Sequence, residues 1–215
     1  MTHARQQRIR IHADPAAFAG TLQRYHADQV VHQGVLALGD PLPTLTLAEL
    51  IAAMQTDVQA FPSSTVIVLD SLQDPQNVGA IMRSALAAGV AGIVIAKDRA
   101  APLRGAVAKA SAGAIAHLRV CQVTNLPAAL QQLKKAGMWV FGTAKDADLS
   151  LYNADFSGPV CLVIGSEEKG LRPLVRKQCD FLVSIPMHGG LDSLNASTAA
   201  AVVLFEIVRQ RVLRQ

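Results

Sequence analysis

The stretch VIVLDSLQDPQNVGAIMRSALAAGVAGIVIA, residues 66–96, decides the fold class. It opens on VIVLD (66–70), a continuous β-branched run of the kind a strand buried on both faces requires. Asp74-Pro75 then makes a turn, and Asn77 is placed to cap a following helix, NVGAIMRSALAAG (77–89), which Gly89 stops. A second apolar run, GIVIA (92–96), follows at once. Strand, helix and strand within about 30 residues is the signature of two parallel strands joined by a crossover.

Working outward, the alternation continues to the end of the chain. Helical PLRGAVAKASAG (102–113) precedes the strand HLRVCQV (117–123). Helical LPAALQQLKKAG (126–137) precedes MWVFG (138–142), and VCLVIG (160–165) precedes the short helix LRPLVRKQC. FLVSIP (181–186) reads as the last strand and residues 194 to about 213 as the last helix. The pattern predicts an α/β fold, a mostly parallel sheet with helices on both faces. In such sheets ligands bind beyond the carboxyl ends of the strands, so the loops after Asp70, Ile164 and Pro186 are the ones to search.

Residues 1–60 break the alternation. RIRIHADPAAFAGTLQRYHADQVVHQGVLAL has room for a strand, a helix and a strand. GDPLPTLTLAELIAAMQTDVQAFPSS reads as a short helix between proline-rich breaks. The expected division is 1–40 as a partial N-terminal module or an arm packed on the main domain, 41–64 as a linker, and 65–215 as the main domain. Some 40 residues is little for an independent domain without disulfides or metal.

Composition bounds the function. Hydrophobic residues make up 51% and charged residues 17%, the balance of a packed globular chain. A net charge of +4 permits a nucleic-acid partner without demanding one, and 4% aromatic content argues against a base-stacking platform. Cys121, Cys161 and Cys179 form no C-x-x-C pair and read as free thiols; no metal site is expected. The N-terminus lacks an apolar signal core and AAAVVLFEIV near the end is too short to span a bilayer. A cytoplasmic protein without membrane partners is the expectation.

The three loops carry the chemistry. Arg83 is the one charged side chain between Asp74 and Lys97. It reads either as an arginine snorkelling to the surface or as a phosphate ligand at the sheet's ligand edge. In IGSEEKGL (164–171) Gly165 admits a close backbone approach, and Glu167-Glu168-Lys169 is either a solvated turn or a functional one. No G-x-G-x-x-G occurs, which disfavours a dinucleotide site of the Rossmann kind. In IPMHGGLDSLNAS (185–197) either Ser193 or Asn195 can cap the last helix, Gly189-Gly190 can be a flexible turn, and Met187 and Leu194 can be core. These readings explain each residue singly but not the co-occurrence of the three loops.

NVGAIMRSALAAGV, LVIGSEEKGL and IPMHGGLDSLNASTAAAVVLFE, in this order, closely resemble the three motifs of the SpoU family of RNA ribose 2′-O-methyltransferases, in the SPOUT superfamily. The likeness runs from about residue 65 to the C-terminus and, with HQGV (32–35), extends toward the N-terminal part. VAKASAGAIAHLRV and LFEIVRQR are most similar to the branch that methylates a guanosine ribose in the 23S, large-subunit ribosomal RNA. The resemblance implies a SPOUT-type fold with a C-terminal trefoil knot, a rare exception to the rule against threading. It implies S-adenosyl-L-methionine as cofactor, lined by Gly165, Ile185, Met187 and Leu194. It implies Asn77, Arg83, Glu167, Ser193 and Asn195 as the active-site set. The family view gives Arg83 the role of base or base-assistant. On physical grounds a guanidinium suits better the grip on the target phosphate and the steadying of the developing alkoxide, with proton loss relayed, the asparagines orienting it and Glu167 holding its guanidinium. Transfer RNA as the target, a non-catalytic RNA-binding protein on the same scaffold, and an unrelated nucleotide-binding domain are the alternatives. The likeness also departs from its branch at the N-terminus, which is shorter here than that branch's ribosomal-protein-like RNA-binding domain.

The last helix carries apolar residues on more than one face, from Ala199 through Val203 and Phe205 to Leu213. A helix packed on one side needs only a stripe. A homodimer covering the surplus is therefore expected, as the resemblance also implies. Arg209, Arg211 and Arg214 are expected to keep the helix end in solvent.

Overall fold

A computed structural model describes residues 14–24, 42–56, 64–190 and 192–214. The chain divides into two compact units, Met1–Pro41 and Leu42–Gln215. In the first, the described residues form helix α1 (Pro15–Arg24), opened by Asp14, whose Oδ1 accepts from the amides of Ala16 and Ala17 at 2.9 and 3.3 Å. The strands expected on either side of it, and HQGV, lie outside the described residues.

The second unit begins with α2 (Leu47–Gln55) and continues through β1 (Thr65–Leu69), α3 (Pro75–Ala87), β2 (Gly92–Ala96) and α4 (Gly105–Ala110). Then come β3 (Val120–Val123), α5 (Leu126–Lys135), β4 (Trp139–Thr143), β5 (Leu149–Ser150) and β6 (Val160–Ile164). The last elements are α6 (Pro173–Arg176), β7 (Phe181–Ser184) and α7 (Ala196–Val212). The strands lie in the order β3-β2-β1-β6-β4-β7-β5. Every pairing between these strands is parallel, with Val66 opposite both Gly92 and Cys161, and Leu69 opposite Ile95 and Ile164.

Alternate residues of each strand feed two separate cores, as a period of two dictates. Ile67, Leu69, Ile93, Ile95, Leu162 and Ile164 meet α3, α4 and α7 on one face. Val66, Val68, Val94, Cys161 and Val163 meet α2, α5 and α6 on the other. The continuous apolar runs are thus strands covered on both sides, as the sequence predicts. No helix among the described residues is long and apolar enough to cross a membrane.

Several local expectations change. The short helix expected within the linker is α2, and what changes is its place: Leu47, Leu50 and Met54 are buried in the second core. Thr46 and Glu49 cap it reciprocally, the threonine hydroxyl receiving the Glu49 amide at 3.2 Å and the glutamate receiving the Thr46 amide at 2.7 Å. Leu45 also bridges to Cys121, so residues 42–56 belong to the larger unit. The cap of α3 is Asp74, which accepts from the Gln76 amide at 3.0 Å with Pro75 as the first helical residue. Asn77 lies inside the helix and is not its cap. Gly89 does end it, at φ +68, a conformation that a Cβ would strain.

In α7, Val203 is fully buried while Phe205 is 49% exposed. The inner face of the helix is therefore core, and the outer surplus is narrower than the sequence suggests. Arg211 turns inward and does not serve solubility. Its Nη1 donates to Thr65 Oγ1 at 2.7 Å and its Nη2 to the carbonyls of Gly158 and Ser64 at 3.1 and 3.3 Å. Burial lowers its pKa below the usual arginine value. Arg209 pairs with Glu206 at 2.7 Å and Arg214 with Asp155 at 3.1 Å.

Candidate active site

The loops after β1, β6 and β7 converge at the carboxyl edge of the sheet. The connection from β1 leads through α3 to β2 on one side, while β6 pairs with β1 on the other. Such a divergence leaves a crevice between neighbouring strand ends. A cleft of ≈ 530 Å³ lies there, lined by Gln73, Asp74 and Asn77 from the first loop and helix and by Ser166 to Gly170 and Arg172 from the second.

One carboxylate oxygen joins all three motifs. Glu167 Oε1 accepts from Asn77 Nδ2 at 2.8 Å, from Asn195 Nδ2 at 2.5 Å and from the amide of Ala196 at 3.2 Å. Asn195 Nδ2 also donates to Asn77 Oδ1 at 2.8 Å. Asn77 reaches this position because Asp74 has taken over the capping, leaving a buried amide that must find partners. Asn195 is both cap and site residue. Its Oδ1 receives the Ser197 amide at 2.9 Å, the Ser197 hydroxyl at 2.6 Å and the Thr198 amide at 3.4 Å. Those donors fix the oxygen toward α7, which turns the NH₂ toward Asn77 and Glu167. The Glu167 carboxylate thereby sits at the positive end of a 17-residue helix, where negative charge is favoured.

The second loop is closed on itself. Ser166 and Gly170 exchange amide–carbonyl bonds of 3.1 and 2.8 Å, and the Lys169 amide donates to Ser166 Oγ at 3.3 Å. Gly165 is required by this closure. A Cβ there would fall against the Gly170 carbonyl carbon, 2.5 Å from Gly170 O and 2.6 Å from Leu171 N.

Arg83 is not gripped by Glu167. It is exposed, and it makes no hydrogen bond or ion pair with the described residues. It lies six positions beyond Asn77, about 600° of helix, so the two occupy different faces of α3. Ser193 is likewise exposed and without a partner among the described residues. Of the residues expected to line a cofactor, Ile185 packs half-buried on the first core, Leu194 is half-buried just before the cap, and Met187 is exposed. None of these, nor Gly165, lines the cleft beside Asn77. The backbone of residues 187–190 makes no hydrogen bond with the described residues. Apolar side chains beside unpaired backbone groups suit an adenine, which offers a flat apolar face and a polar edge.

Two residues that sequence reasoning passed over anchor the second loop. Asp70, at the end of β1, accepts from Arg172 Nε at 2.6 Å and from the Arg172 amide at 2.8 Å. A charged residue closing an otherwise apolar buried strand was the available signal, since a buried carboxylate needs a partner. The cysteines take no part. Burial pushes the Cys121 thiol up to about 11 and the Cys179 thiol to about 12, and raises Cys161 further, which leaves them protonated and unreactive.

Comparison with known proteins follows the same residues. Residues 64–205 match the SpoU rRNA Methylase family. The chain is 47% identical over 184 residues to the 23S rRNA (guanosine-2′-O-)-methyltransferase RlmB of Xanthomonas axonopodis pv. citri, covering 86% of this chain and 73% of that protein. It is 46% identical over 192 residues to YacO of Bacillus subtilis, named for the TrmH family of tRNA/rRNA methyltransferases, covering 87% of this chain and 76% of YacO. Among solved structures, the SpoU methyltransferase AviRb of Streptomyces viridochromogenes in complex with the cofactor AdoMet superposes with a TM-score of 0.65 at 33% identity. That match covers 70% of this chain and 59% of AviRb. An AdoMet-bound rRNA methyltransferase of Sinorhizobium meliloti gives a TM-score of 0.68 at 28% identity, over 78% of this chain and 61% of that one. The motif order, the parallel sheet and the Asn77–Glu167–Asn195 constellation all fall within the matched residues, and the chain belongs to the SpoU rRNA methylase family.

Proposed function

We propose that the protein transfers the methyl group of S-adenosyl-L-methionine to the 2′-hydroxyl of a guanosine in large-subunit ribosomal RNA. The observation that carries this reading is the single oxygen of Glu167 binding Asn77 and Asn195, one residue from each of the three motifs. The RlmB relatives act by name on a guanosine of 23S rRNA, and two structural neighbours hold AdoMet.

The cofactor supplies a sulfonium methyl, an electrophile that needs no metal. Ile185, Met187 and Leu194 would hold its adenosyl part, with the free backbone of 187–190 reading the base edge. Asn77, Glu167 and Asn195 fix the ends of the three loops relative to one another, so the reacting hydroxyl meets a preset geometry. As the O2′–methyl bond forms, O2′ loses its proton, and Glu167 is the anionic acceptor in this constellation. Arg83 offers a planar fork of N–H donors suited to phosphate oxygens. Exposed and without a partner among the described residues, it can grip an RNA phosphate and steady the developing alkoxide. Ser193 stands beside this set, free to bond the ribose.

The C-terminal lobe is read as knotted, in keeping with β7 lying outside β4 and α7 returning to the start of β1 through Arg211. Phe205 and Val212, seven residues apart on α7, are 49% and 63% exposed and form an outward apolar stripe. A second copy of the chain is the proposed cover, giving a homodimer. Residues 1–40 are read as a module adding RNA affinity, and a ribosomal substrate implies the cytoplasm.

The test is transfer of a labelled methyl group to unmodified 23S rRNA transcript, with the product mapped. Label at one guanosine 2′-oxygen is expected. YacO's name joins tRNA to rRNA, so a tRNA arm is included; label confined to tRNA replaces the substrate, and none in either overturns the reading.

A further inference from the structure

Asp70 is 0% exposed, and both of its carboxylate oxygens are used. Oδ1 receives Arg172 Nε at 2.6 Å and the Ser71 hydroxyl at 3.2 Å, and Oδ2 receives the Arg172 amide at 2.8 Å. The Asp70 amide itself donates to Ile164 O at 2.8 Å, which continues the sheet ladder to this point. The carboxylate is therefore rigid. It holds the arginine by Nε and backbone only, leaving Nη1 and Nη2 without a partner among the described residues. The Arg172 side chain is 35% exposed and lines the cleft beside Asn77 and Glu167. A planar pair of N–H donors held by its inner edge and open at its outer edge matches two acceptor oxygens of a phosphate.

The loop after β2 adds a second cation. Arg99 lines the same cleft, is exposed, and has no partner among the described residues. Its φ is +58, a left-handed conformation that favours glycine or asparagine. Ser71, at φ +61, lines the cleft too. Left-handed residues of this kind cluster at functional sites. Lys169 is the third cation, and Asp74, Glu167 and Glu168 are the acids. Asp74 is engaged by α3 and Glu167 by the asparagines. The cleft is thus close to neutral overall, and an anion held there must be held by directed contacts.

We propose that Arg172 and Arg99 form a subsite for a backbone phosphate of the substrate RNA next to the methylated nucleotide, and that buried Asp70 is the positioning residue that aims Arg172. The proposal rests on the RNA-methyltransferase reading above. Arg83 lies on another face of α3, so this is a separate contact.

The experiment measures RNA affinity as a function of salt, using unmodified 23S rRNA transcript. The variants are Arg99→Asn, which suits the left-handed backbone, and the pair Asp70→Asn/Arg172→Gln, which leaves no buried charge alone. Each lost phosphate contact should flatten the slope of log affinity against log salt by about 0.7, which is about fourfold in affinity at 0.15 M. S-adenosylhomocysteine binding, measured by calorimetry, should be unchanged and so certify the fold. Wild-type slopes in folded variants overturn the subsite. Weaker binding at an unchanged slope with altered nucleotide preference also overturns it, because it marks a contact to a base edge. If the paired variant does not fold, Arg99→Asn decides alone. Wild-type protein that methylates no RNA defeats the parent reading instead.

Discussion

Gly165→Ala separates two roles for a motif glycine, one toward a ligand and one toward the chain itself. The added Cβ would lie 2.5 Å from Gly170 O and 2.6 Å from Leu171 N, where ordinary contacts begin at about 3.4 Å. Both obstacles are backbone, so no side chain can swing away, and the loop must move by about 1 Å. That movement strains the paired bonds between Ser166 and Gly170, of 3.1 and 2.8 Å. Overpacking of this kind costs about 1–3 kcal/mol and each weakened bond about 1 kcal/mol more. A loss of about 3–5 kcal/mol lowers the melting temperature of a chain this size by about 6–20 °C. Gly189→Ala is the comparison: nothing lies within 4 Å of its Cβ position and its φ is not left-handed. That variant should melt within about 1–2 °C of wild type, yet bind S-adenosylhomocysteine more weakly if the chain passes close to the adenine there. Thermal unfolding without cofactor reads both. A Gly165→Ala protein that melts as wild type, and loses only cofactor binding, refutes the argument from backbone closure.

Other outcomes follow from the same contacts. Glu167→Ala strands the buried Asn77 amide and should cost about 1–3 kcal/mol in urea unfolding. The loss should be strongly non-additive with Asn77→Ala, and independent effects would dissolve the constellation. Arg83→Ala touches no described partner, so melting and cofactor binding should hold while methyl transfer falls steeply; Arg83→Lys should rescue little, for want of the planar fork. Near wild-type turnover returns Arg83 to a surface role. Phe205→Glu should yield a folded monomer in sedimentation, whereas Val203→Glu, which puts a charge into the core, should not fold at all. A Phe205→Glu dimer refutes the α7 interface. Hydrogen bonds from Arg209 hold the Glu206 carboxyl below the usual glutamate range. A depressed folded pKa stabilises above the unfolded value, about 4.3, and the benefit is lost as pH falls through the folded one. The stability gap between wild type and Glu206→Gln should therefore shrink on going from about pH 6 to about pH 3, and a constant gap refutes the linkage.

The sequence declares strands best where burial leaves the residue type little choice. β1, β2 and β6 are legible because a strand covered on both faces admits only apolar residues, and their runs end where the sheet ends. β5 is not legible, because two residues, Leu149 and Ser150, have no period to show. α2 is legible through Thr46-x-x-Glu49, a reciprocal cap, but the prolines around it hide that it packs into the core. Facing is harder than element type. Val203 and Phe205 are two positions apart on one helix, both apolar, and only packing decides that the first is core and the second surface. The candidate site divides along the same line. Asn195 can be recognised as a cap, but a cap uses one oxygen of an amide and leaves the NH₂ unspent. That remainder reaches Glu167 and Asn77, 28 and 118 residues away. Arg172 was harder still, because its partner Asp70 lies 102 residues back, and no local pattern carries that distance. What local sequence does carry is the unpaired group. An aspartate closing a buried strand and an asparagine inside an apolar helix each require a partner that the neighbouring residues do not provide. In this chain those two debts, Asp70 and Asn77, are both met by the loop after β6, one through Arg172 and the other through Glu167. The loop is therefore tied to the β1 side of the sheet at Glu167 and again at Arg172, and a substitution at Asn77 should be felt first as a displaced Glu167.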